Sequence, residues 1–452
     1  MQQNISPSQL PSGGLTLIER LNAAGYEAWF VGGCVRDLLL GQLPHDWDIC
    51  TSALPQETEQ VLGEYTIHET GLVHGTVLVV VDGEGYEVTT FRTEGTYSDH
   101  RRPDSVSFVR DLASDLARRD FTINAMAYHP DLGLVDLYGG QADLASGIIR
   151  AVGNPSQRFQ EDALRMLRAL RFAARLDFSI EPATAQAIHS QRNDLTMVAS
   201  ERIFEELKGI LRAKGAEGIL CTFSDVFAVI VPEIAPLIDY DQNTPHHHLD
   251  AWRHTALTVT GVPERDIVLR LAALLHDIGK PDCCTRDDSG VSHFYGHNQR
   301  SQELAHQALL RLRCDTATRQ QVEQLIANHD RALPTSAAGV RRFLTELDED
   351  TVAKLLLLKR ADVLAQSDYQ RERKLGEIEA FEVLFHQVQQ ESACWTMKQL
   401  ALRGADLIAL GVQPGPAMGR ILKQALNAVI EGAVANEKAA LLDFLRACGE
   451  LK

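Results

Sequence analysis

The chain has 452 residues, and 45% of them are hydrophobic, which is enough for two to four domains with their own cores. Its 44 Lys and Arg residues against 61 Asp and Glu residues give a net charge of −17. That balance argues against a protein that coats nucleic acid non-specifically, but it leaves room for an enzyme with a local basic cleft.

Targeting segments and a disulfide framework are not predicted. The longest apolar runs, such as residues 77–81, are too short to cross a bilayer, and residues 1–7 lack the basic and apolar regions of a signal peptide. None of the 8 cysteines forms a CxxC pair. We therefore expect a protein of the reducing cytoplasm, without a membrane segment and without an evident obligate protein partner.

The first 145 residues predict a small mixed α/β region. Apolar runs, turn residues and alternation mark short strands, and one apolar stretch with helical spacing ends at Gly41. The predicted elements are a strand at Ala28–Val31, a helix at 35–40, a strand at 46–49, and an antiparallel hairpin of 77–81 with 86–91.

Beyond residue 146 the pattern turns helical. Residues 161–176 predict one helix, Ser200–Leu211 predicts another with Ser200 as its N-cap, and the prolines and polar residues of 232–245 suggest a boundary. We therefore predict an α+β fold class, with a small mixed-sheet head and all-helical regions after it. The predicted domains are the head at 1–145, a helical neck at 146–243, a histidine-rich helical domain at 244–366 and a helical tail at 367–452.

Two glycines, Gly32 and Gly33, lie between the first predicted strand and helix. Glycine lets a backbone approach a phosphate closely, and a helix N-terminus offers free N–H groups, to which Arg36 adds charge. Taken alone, the pattern is more often a plain strand–turn–helix connection.

Asp46 and Asp48 flank Trp47 on a predicted strand, where alternation puts both carboxylates on one face. Two convergent carboxylates can hold Mg²⁺ ions that orient a triphosphate and activate a hydroxyl, whereas an isolated pair is usually a solvated strand face. Glu87 is the candidate third carboxylate. A cross-strand ion pair of Glu87 with Arg92 or another basic residue is an equal alternative.

These residues belong to a longer series of motifs in the same order along the chain, covering about residues 28 to 235. The series resembles that of the class II tRNA nucleotidyltransferase and bacterial poly(A) polymerase family. Its motifs are Gly32-Gly33-x-x-Arg36-Asp37, Asp46-x-Asp48, Glu87–Arg92, Arg118–Ala127, Glu161-Asp162-x-x-Arg165-x-x-Arg168-x-x-Arg171-Phe172 and Ser200-Glu201-Arg202-Ile203.

The resemblance implies addition or repair of the 3′-terminal CCA of tRNA from CTP and ATP without a template, with Mg²⁺ as cofactor. Asp46 and Asp48 would be the catalytic metal ligands. The implied nucleotide-binding residues are Gly32, Gly33 and Arg36 for the triphosphate, Arg119 for the nucleotide, Asp120 and Asn124 for the ribose site, Asp162 and Arg165 for the base, and Arg168 and Arg171 for phosphates.

The implied base-reading pair has a physical basis. A carboxylate accepts from an exocyclic amine and a guanidinium donates to a ring nitrogen, which suits the Watson–Crick edges of cytosine and adenine. Uracil and guanine present the opposite polarity and would leave both groups unpaired, at a cost of several kcal/mol in a buried site. Asp162 and Arg165 would thus accept C and A and refuse U and G.

Two segments favour CCA addition over the other activities of this family. Residues 93–103 are polar and basic, and the family has a mobile loop there that helps to switch from CTP to ATP; its full length favours complete CCA addition. The segment from Leu402 to Gly419 is similar to the C-terminal domain of CCA-adding enzymes, and the chain lacks the basic tail usual in poly(A) polymerases. The alternatives are a poly(A) polymerase, or an A-adding or CC-adding enzyme.

The second half has a separate chemical signature. Residues 274–281 resemble the HD phosphohydrolase motif, with His276-Asp277 as the doublet, and His254 and Asp362 complete the implied ligand set for a divalent Mg²⁺, Mn²⁺ or Ni²⁺. His297 and His329 are placed like the extra histidines of two-metal HD domains, and His246, His247 and His248 are expected to be a polar linker.

The HD resemblance implies phosphatase or cyclic phosphodiesterase activity, and a structural or tRNA-supporting role is the alternative. A rival of another class is an HD metal phosphohydrolase whose head only binds RNA. The carboxylates Asp46, Asp48, Glu161 and Asp162 argue against that rival.

Overall fold

The computed structural model describes residues 5–71, 75–95, 106–391 and 394–451. The chain forms two compact units, Met1–Ala235 with Leu310–Cys314, and Pro236–Leu309 with Asp315–Lys452. The division after Ala235 falls within the boundary predicted at 232–245. The finer division into head, neck, HD and tail domains stays a prediction.

A mixed sheet of seven strands, in the order β3-β4-β5-β2-β1-β8-β9, forms the head within the first unit. All its neighbours run antiparallel except β2 and β5, which are parallel. The strands of this unit are β1 Ala28–Val31, β2 Trp47–Thr51, β3 Thr66–Gly71, β4 Thr76–Val81, β5 Glu84–Thr90, β6 Arg92–Glu94, β7 Val106–Phe108, β8 Met126–His129, β9 Gly133–Asp136, β10 Ile148–Ile149 and β11 Ser179–Ile180.

The sequence explains why these strands pair as they do. β1 is buried along its whole length, and alternate valines of β4 are buried, as expected for a central strand and a half-covered one. The turn between β4 and β5 has Asp82 at φ 51° and Gly83 at φ 85°, the positive values that a two-residue hairpin turn requires. The predicted strand at Ala28–Val31 and the predicted hairpin are confirmed.

Helices surround and follow this sheet. The amphipathic helix α7 packs against α9, and both helices bury apolar residues, Leu170 and Leu207 among them. The helices of the first unit are α1 Ser12–Ala23, α2 Gly33–Leu39, α3 Pro55–Leu62, α4 Leu112–Ala117, α5 Gly140–Ser146, α6 Pro155–Glu161, α7 Leu164–Leu176, α8 Pro182–Gln191, α9 Ser200–Leu211, α10 Ala216–Thr222 and α11 Ser224–Ile230.

Two local predictions are wrong. The single helix predicted at 161–176 is two helices, because Asp162 is extended at φ −139° and ψ 104° and its side chain accepts from the Leu164 N–H at the start of α7. Ser200 is not an N-cap: Ala199 takes that position, with no side-chain hydrogen bond, and Ser200 is the first residue of α9.

The second unit is mostly helical. α12 packs against α13 and α17, and α13 also packs against α15, so four helices meet around one centre. Its elements are α12 Ala251–Gly261, α13 Ile267–Leu275, β12 Thr285–Arg286, β13 Ser292–His293, α14 His297–Arg311, α15 Thr316–Asn328, α16 Ala337–Glu346, α17 Glu349–Ala365, α18 Arg371–Gln390, α19 Gly404–Ala409, α20 Pro416–Ile430 and α21 Lys438–Ala447.

The last helices, α19 to α21, share an apolar cluster that includes Leu407, Ala425 and Leu441. None of the helices within the described ranges has the length and apolar character needed to span a bilayer. Together, the mixed sheet and the helices that follow it confirm the predicted α+β fold class.

Candidate active sites

The head brings carboxylates together at the edge where β2 and β5 run side by side. Asp48 on β2 is directly paired in the register with Glu87 on β5, whose other neighbour is Leu78 on β4. Glu87 therefore lies beside the candidate metal ligand, which is the first of its two predicted roles.

Asp46 differs from the prediction. It precedes β2 rather than belonging to it, its side chain is 88% exposed, and it contacts His45 at 3.1 Å. The strand begins only at Trp47, so strand alternation does not set the direction of Asp46. Asp46 nevertheless lines the same cleft as Asp48 and Glu87.

Asp48 lies in an electrostatically unfavourable place for a charge. Burial and the nearby charge of Glu87 raise the pKa of Asp48 to about 6, with Arg119 opposing them and Asp46 adding to them. A carboxylate whose ionisation is disfavoured by burial and by other carboxylates is the donor arrangement that a divalent cation stabilises. These residues therefore fit a hard cation with oxygen ligands.

Gly32 has two reasons to be glycine. Its φ is 80°, and a Cβ there would lie 3.0 Å from an Arg119 guanidinium nitrogen and 3.7 Å from Asp48 Oδ2. Arg119 is itself held by the buried carboxylate of Asp115, at 3.1 Å. The Gly32 backbone, Arg119 and Asp48 thus meet at one point at the start of α2.

Other predicted nucleotide-binding residues form one hydrogen-bonded chain. The buried Arg36 donates to Asn124 Oδ1 at 2.7 Å, Asn124 donates to Asp120 Oδ1 at 3.1 Å, and Asp120 Oδ2 accepts from Arg168 at 2.6 Å. Burial alone would raise the pKa of Asp120, but Arg168 and Asn124 outweigh it and hold that pKa at about 2. Asp120 and Asn124 are therefore fixed in position by two arginines.

The predicted base-reading residues, Asp162 and Arg165, line a common cleft. Asp162 Oδ2 accepts from Arg202 at 2.9 Å. Arg165 donates to Glu161 at 2.5 Å and to the carbonyl of Arg118 at 3.1 Å. Sequence reasoning gave Arg202 no role, although it lies in the Ser200–Ile203 motif, and that motif was the available signal.

Arg171 is not brought to that cleft. It pairs with Glu206 at 2.6 Å, and its guanidinium lies 4.6 Å from the centre of the Phe172 ring. Arg36 and Arg168 approach the same ring at 5.1 and 5.6 Å. The predicted switching loop at 93–103 falls largely on residues 96–105, which lie outside the described residues.

A second cluster of titratable side chains lies in the second unit, where the four helices meet. His254 Nε2 is 3.0 Å from Asp362 Oδ1, and His276 Nε2 is 3.2 Å from Asp277 Oδ2. His297 approaches the other oxygen of Asp277 at 3.4 Å. The four predicted HD residues therefore converge. Close groups of metal-ligating atoms among the described residues are His254 with His276 and Asp277, and Asp277 with His297 and His329.

The cluster has the hydrogen bonding of a metal site. The Nδ1 atoms of His254, His276, His297 and His329 each lie 2.7–3.3 Å from a backbone carbonyl, to which they donate, so each Nε2 faces inward. His254 Nε2, His276 Nε2 and Asp277 Oδ2 are buried, and their short contacts with Asp362, with each other and with Lys280 do not have hydrogen-bond geometry. These inward atoms, which lie close together without hydrogen bonds, fit a divalent cation with nitrogen and oxygen ligands.

Lys280 and His247 complete the surroundings of this cluster. Lys280 Nζ lies 2.6 Å from Asp277 Oδ2, and the His247 ring lies 4.6 Å from that of His254. Burial, with Lys280 next, lowers the pKa of His247 to about 2. The polar-linker prediction is therefore wrong for His247, which packs into the cluster.

Three family models match separate stretches of the chain. Residues 28–150 match a family model described as the poly A polymerase head domain, and residues 177–238 match one described as a probable RNA and SrmB binding site of polymerase A. Residues 297–445 match a model described as a putative tRNA nucleotidyltransferase domain 2.

Full-length relatives share one name. The chain is 35% identical to the CCA-adding enzyme of Streptococcus thermophilus, over 99% of both chains. It is 37% identical to that of Lacticaseibacillus paracasei, over 95% of this chain and 94% of the relative. Among solved structures, the Bacillus stearothermophilus CCA-adding enzyme in complex with CTP matches with a TM-score of 0.72 and 28% identity, covering 96% of this chain and 98% of that one. This chain therefore belongs to the CCA-adding enzyme family of nucleotidyltransferases.

Proposed function

We propose that the head and the helices after it add or repair the 3′-terminal CCA of tRNA, using CTP and ATP. The observation that carries this proposal is the cleft where Arg119, Asp120, Asp162 and Arg165 lie together. It offers a carboxylate acceptor and a guanidinium donor for a base, with further arginines for phosphates. The relatives named CCA-adding enzymes, and a structural relative that holds CTP, support the same activity.

The head would hold Mg²⁺ through Asp46, Asp48 and Glu87. When bound, the cation supplies charge for the triphosphate and lowers the barrier to attack by the terminal hydroxyl of the RNA. Arg119, fixed by Asp115, contributes positive charge beside Asp48, and the Gly32 backbone leaves room for a close approach. The chain's own part is to bind and orient the triphosphate.

Base choice would rest with Asp162 and Arg165. Arg202 holds the Asp162 carboxylate, while Glu161 and the Arg118 carbonyl hold Arg165. Two side chains fixed from behind can present one acceptor and one donor in a constant geometry, as preorganised recognition requires. Cytosine and adenine match that pattern, and uracil and guanine leave both groups unpaired.

The experiment for this proposal uses a tRNA without its CCA and one that ends in CC. We expect CTP alone to add two residues to the first, ATP alone to add one residue to the second, and both together to complete CCA. Addition of a long A tract to unrelated RNA would instead show a poly(A) polymerase, and arrest after CC with both nucleotides present would show a CC-adding enzyme.

For the second unit, we propose a phosphohydrolase site in which His254, His276, Asp277 and Asp362 hold Mg²⁺, Mn²⁺ or Ni²⁺. The inward Nε2 atoms of His254 and His276, which lie close to carboxylates without forming hydrogen bonds, support it. His297 and His329 offer a second ligand group with Asp277. Metal content of the purified full chain, compared with that of a His276→Ala variant, tests the ligand set. Equal metal content in the two proteins would leave the cluster as a structural element.

A further inference from the structure

The hydrogen-bonded chain that holds Asp120 and Asn124 begins and ends at arginines that share one aromatic ring. Arg36 donates to Asn124, which donates to Oδ1 of Asp120. Arg168 donates to Oδ2 of the same carboxylate. The guanidinium carbon of Arg36 lies 5.1 Å from the centre of the Phe172 ring, and that of Arg168 lies 5.6 Å from it. Both distances allow cation–π attraction, so Phe172 connects the two ends of a chain whose middle is the predicted ribose site.

The Phe172 ring is itself held in place by the protein. It is 5% exposed, and the buried ring of Phe121 meets it edge to face, with centroids 5.8 Å apart and planes at 79°. Aromatic pairs in this geometry gain energy beyond that of burial. The guanidinium carbon of Arg171 lies closer to the ring centre than those of the other two arginines, at 4.6 Å. The ring therefore has little freedom to move, which a support for other side chains requires.

Arg171 is anchored beside the ring by the neighbouring helix. Its Nε donates to Glu206 Oε2 on α9 at 2.6 Å. About one turn further along α9, Gly209 leaves room for this side chain, since a Cβ there would clash with Arg171 Cδ. A carboxylate and a helix surface without a side chain thus fix Arg171 from behind, and Arg171 fixes Phe172.

An aromatic ring suits arginines that must be held and still bind an anion. The N–H donors of a guanidinium lie in its plane, and its faces carry none. Arg36 donates through three of its nitrogen atoms to Asp37 and Asn124, and Arg168 donates through Nε and Nη2 to Asp120. Another carboxylate would occupy further donors and offset more positive charge, whereas a ring attracts the cation and leaves its remaining donors available to a ligand.

We propose that Phe172 is a positioning residue for nucleotide addition, because its ring sets the places of Arg36 and Arg168 and, through them, of the ribose and triphosphate sites. The inference rests on the nucleotide addition proposed above and gives a role to a residue that stands in the motif series without one. In this arrangement Arg171 serves to fix the ring. The base-reading pair has supports of its own, so the ring should affect the binding of CTP and ATP alike and leave base choice unchanged.

The main test keeps the ring and weakens only its attraction for cations. Phenylalanines with one, two and three ring fluorines, placed at position 172 of the full chain, withdraw electron density stepwise from the ring face with little change in size. We expect the KM for CTP, with tRNA lacking CCA, and the KM for ATP, with tRNA ending in CC, to rise with each fluorine. The rise should reach roughly tenfold over the series, with little change in kcat. A KM that stays constant along the series would overturn the proposal, because a ring that only fills space is indifferent to fluorine.

Two leucine substitutions separate the ring's attraction for arginines from ordinary packing. Phe172→Leu removes the π-face and should raise the same KM values at least as far as three fluorines do. Phe227→Leu removes a buried ring from α11 in the same unit and is the matched control, which should lower the melting temperature without raising KM. Equal rises of KM in the two variants, or a loss of selectivity against UTP and GTP in Phe172→Leu as large as its rise in KM, would show that Phe172 acts only through packing. The fluorine series decides the question if Phe172→Leu does not fold.

A binding measurement separates this inference from the proposed addition. Calorimetric titration of CTP into the full chain without tRNA gives an affinity that does not depend on turnover. If the wild type adds no nucleotide but its affinity for CTP falls along the fluorine series, the proposed addition fails and the positioning role stands. If the affinity is the same along the series, the positioning role fails, whatever the wild type adds. A wild type that does not bind CTP refutes both.

Discussion

The two candidate metal sites place their carboxylates in opposite electrostatic surroundings. In the head, Asp48 and Glu87 are like charges on neighbouring strands, and the pKa of Asp48 is raised to about 6. In the histidine cluster, burial would raise the pKa of Asp277, but His276 and Lys280 outweigh it and hold that pKa well below its usual range. The ionised form of Asp48 is therefore disfavoured in the metal-free head, whereas positive neighbours from the same chain offset the charge of Asp277.

This contrast predicts where function depends on single residues. Like-charged carboxylates on neighbouring strands oppose folding, so we expect those of the head to be dispensable for folding and essential for chemistry. A buried, paired cluster also contributes to folding, and removing one partner leaves another charge uncompensated.

The largest effect is expected in the head. Asp48→Ala or Asp46→Ala should reduce nucleotide addition by about 1000-fold or more, because a lost metal ligand removes several kcal/mol of transition-state stabilisation. Binding of tRNA, measured by filter retention, should survive. Asp131→Ala, which removes an exposed carboxylate elsewhere in the head, is the matched control. Near-normal addition by either site variant would refute the assignment of these ligands.

The next largest effect is expected on the phosphohydrolase activity proposed for the second unit. His276→Ala combined with Asp277→Ala should abolish hydrolysis of a 2′,3′-cyclic phosphate and leave CCA addition largely intact, because the two sites lie in separate units. The double variant His306→Ala with Asp288→Ala removes the same residue types from exposed positions and serves as the control. A folded cluster variant that also fails to add CCA would show that the two units are coupled in function.

Metal binding by the histidine cluster should depend on pH. Burial alone would lower the pKa of His276, but Asp277 raises it above its usual value. A histidine must be neutral to bind a metal, so metal affinity should fall as the pH drops toward and below that raised pKa. Metal retention after dialysis at a series of pH values measures this. Retention that is unchanged down to pH 5 would count against His276 as a ligand.

Features set by local backbone geometry could be predicted from the sequence, whereas features set by long-range pairing could not. The Gly32–Gly33 connection and the Asp82–Gly83 turn depend on local backbone geometry, so residue type alone identified them. The partner of Glu87 depends on the parallel register of β2 and β5, whose residues are far apart in the chain, and local patterns left two alternatives.

The errors depend in part on contacts that a local sequence pattern does not contain. Helical periodicity continues through residues 161–176, yet Asp162 is extended because its carboxylate caps α7 and accepts from Arg202. A sequence window weighs apolar spacing and does not contain the distant arginine. His247 resembled a polar linker by composition, and only the packing of α12 shows that it meets His254.

A smaller effect concerns base choice. Asp162→Ala or Arg165→Ala should relax selectivity against UTP and GTP by up to about 100-fold, because the mismatch penalty of an unpaired buried group disappears. Arg202→Ala should give a weaker effect of the same kind, since Arg202 only holds Asp162. Single-nucleotide incorporation with each triphosphate measures all three variants. Unchanged selectivity would mean that the base is recognised by other residues.

The smallest effect, on stability, bears most directly on the difference between the two sites. Asp48 has a usual pKa of about 3.8 in the unfolded chain and about 6 in the folded, metal-free protein. Its ionisation therefore disfavours folding as the pH rises from about 4 through about 6, and the full penalty, at most about 3 kcal/mol, is present above that range. Asp48→Asn should raise the melting temperature of the metal-free protein at pH 7.5 and have no such effect near pH 4. Mg²⁺ should stabilise the wild type and not the variant. Asp277→Asn should lower the melting temperature at pH 7.5, because it leaves the buried Lys280 without its counter-charge. Two changes of the same sign would show that the sites do not differ in the way their pKa values indicate.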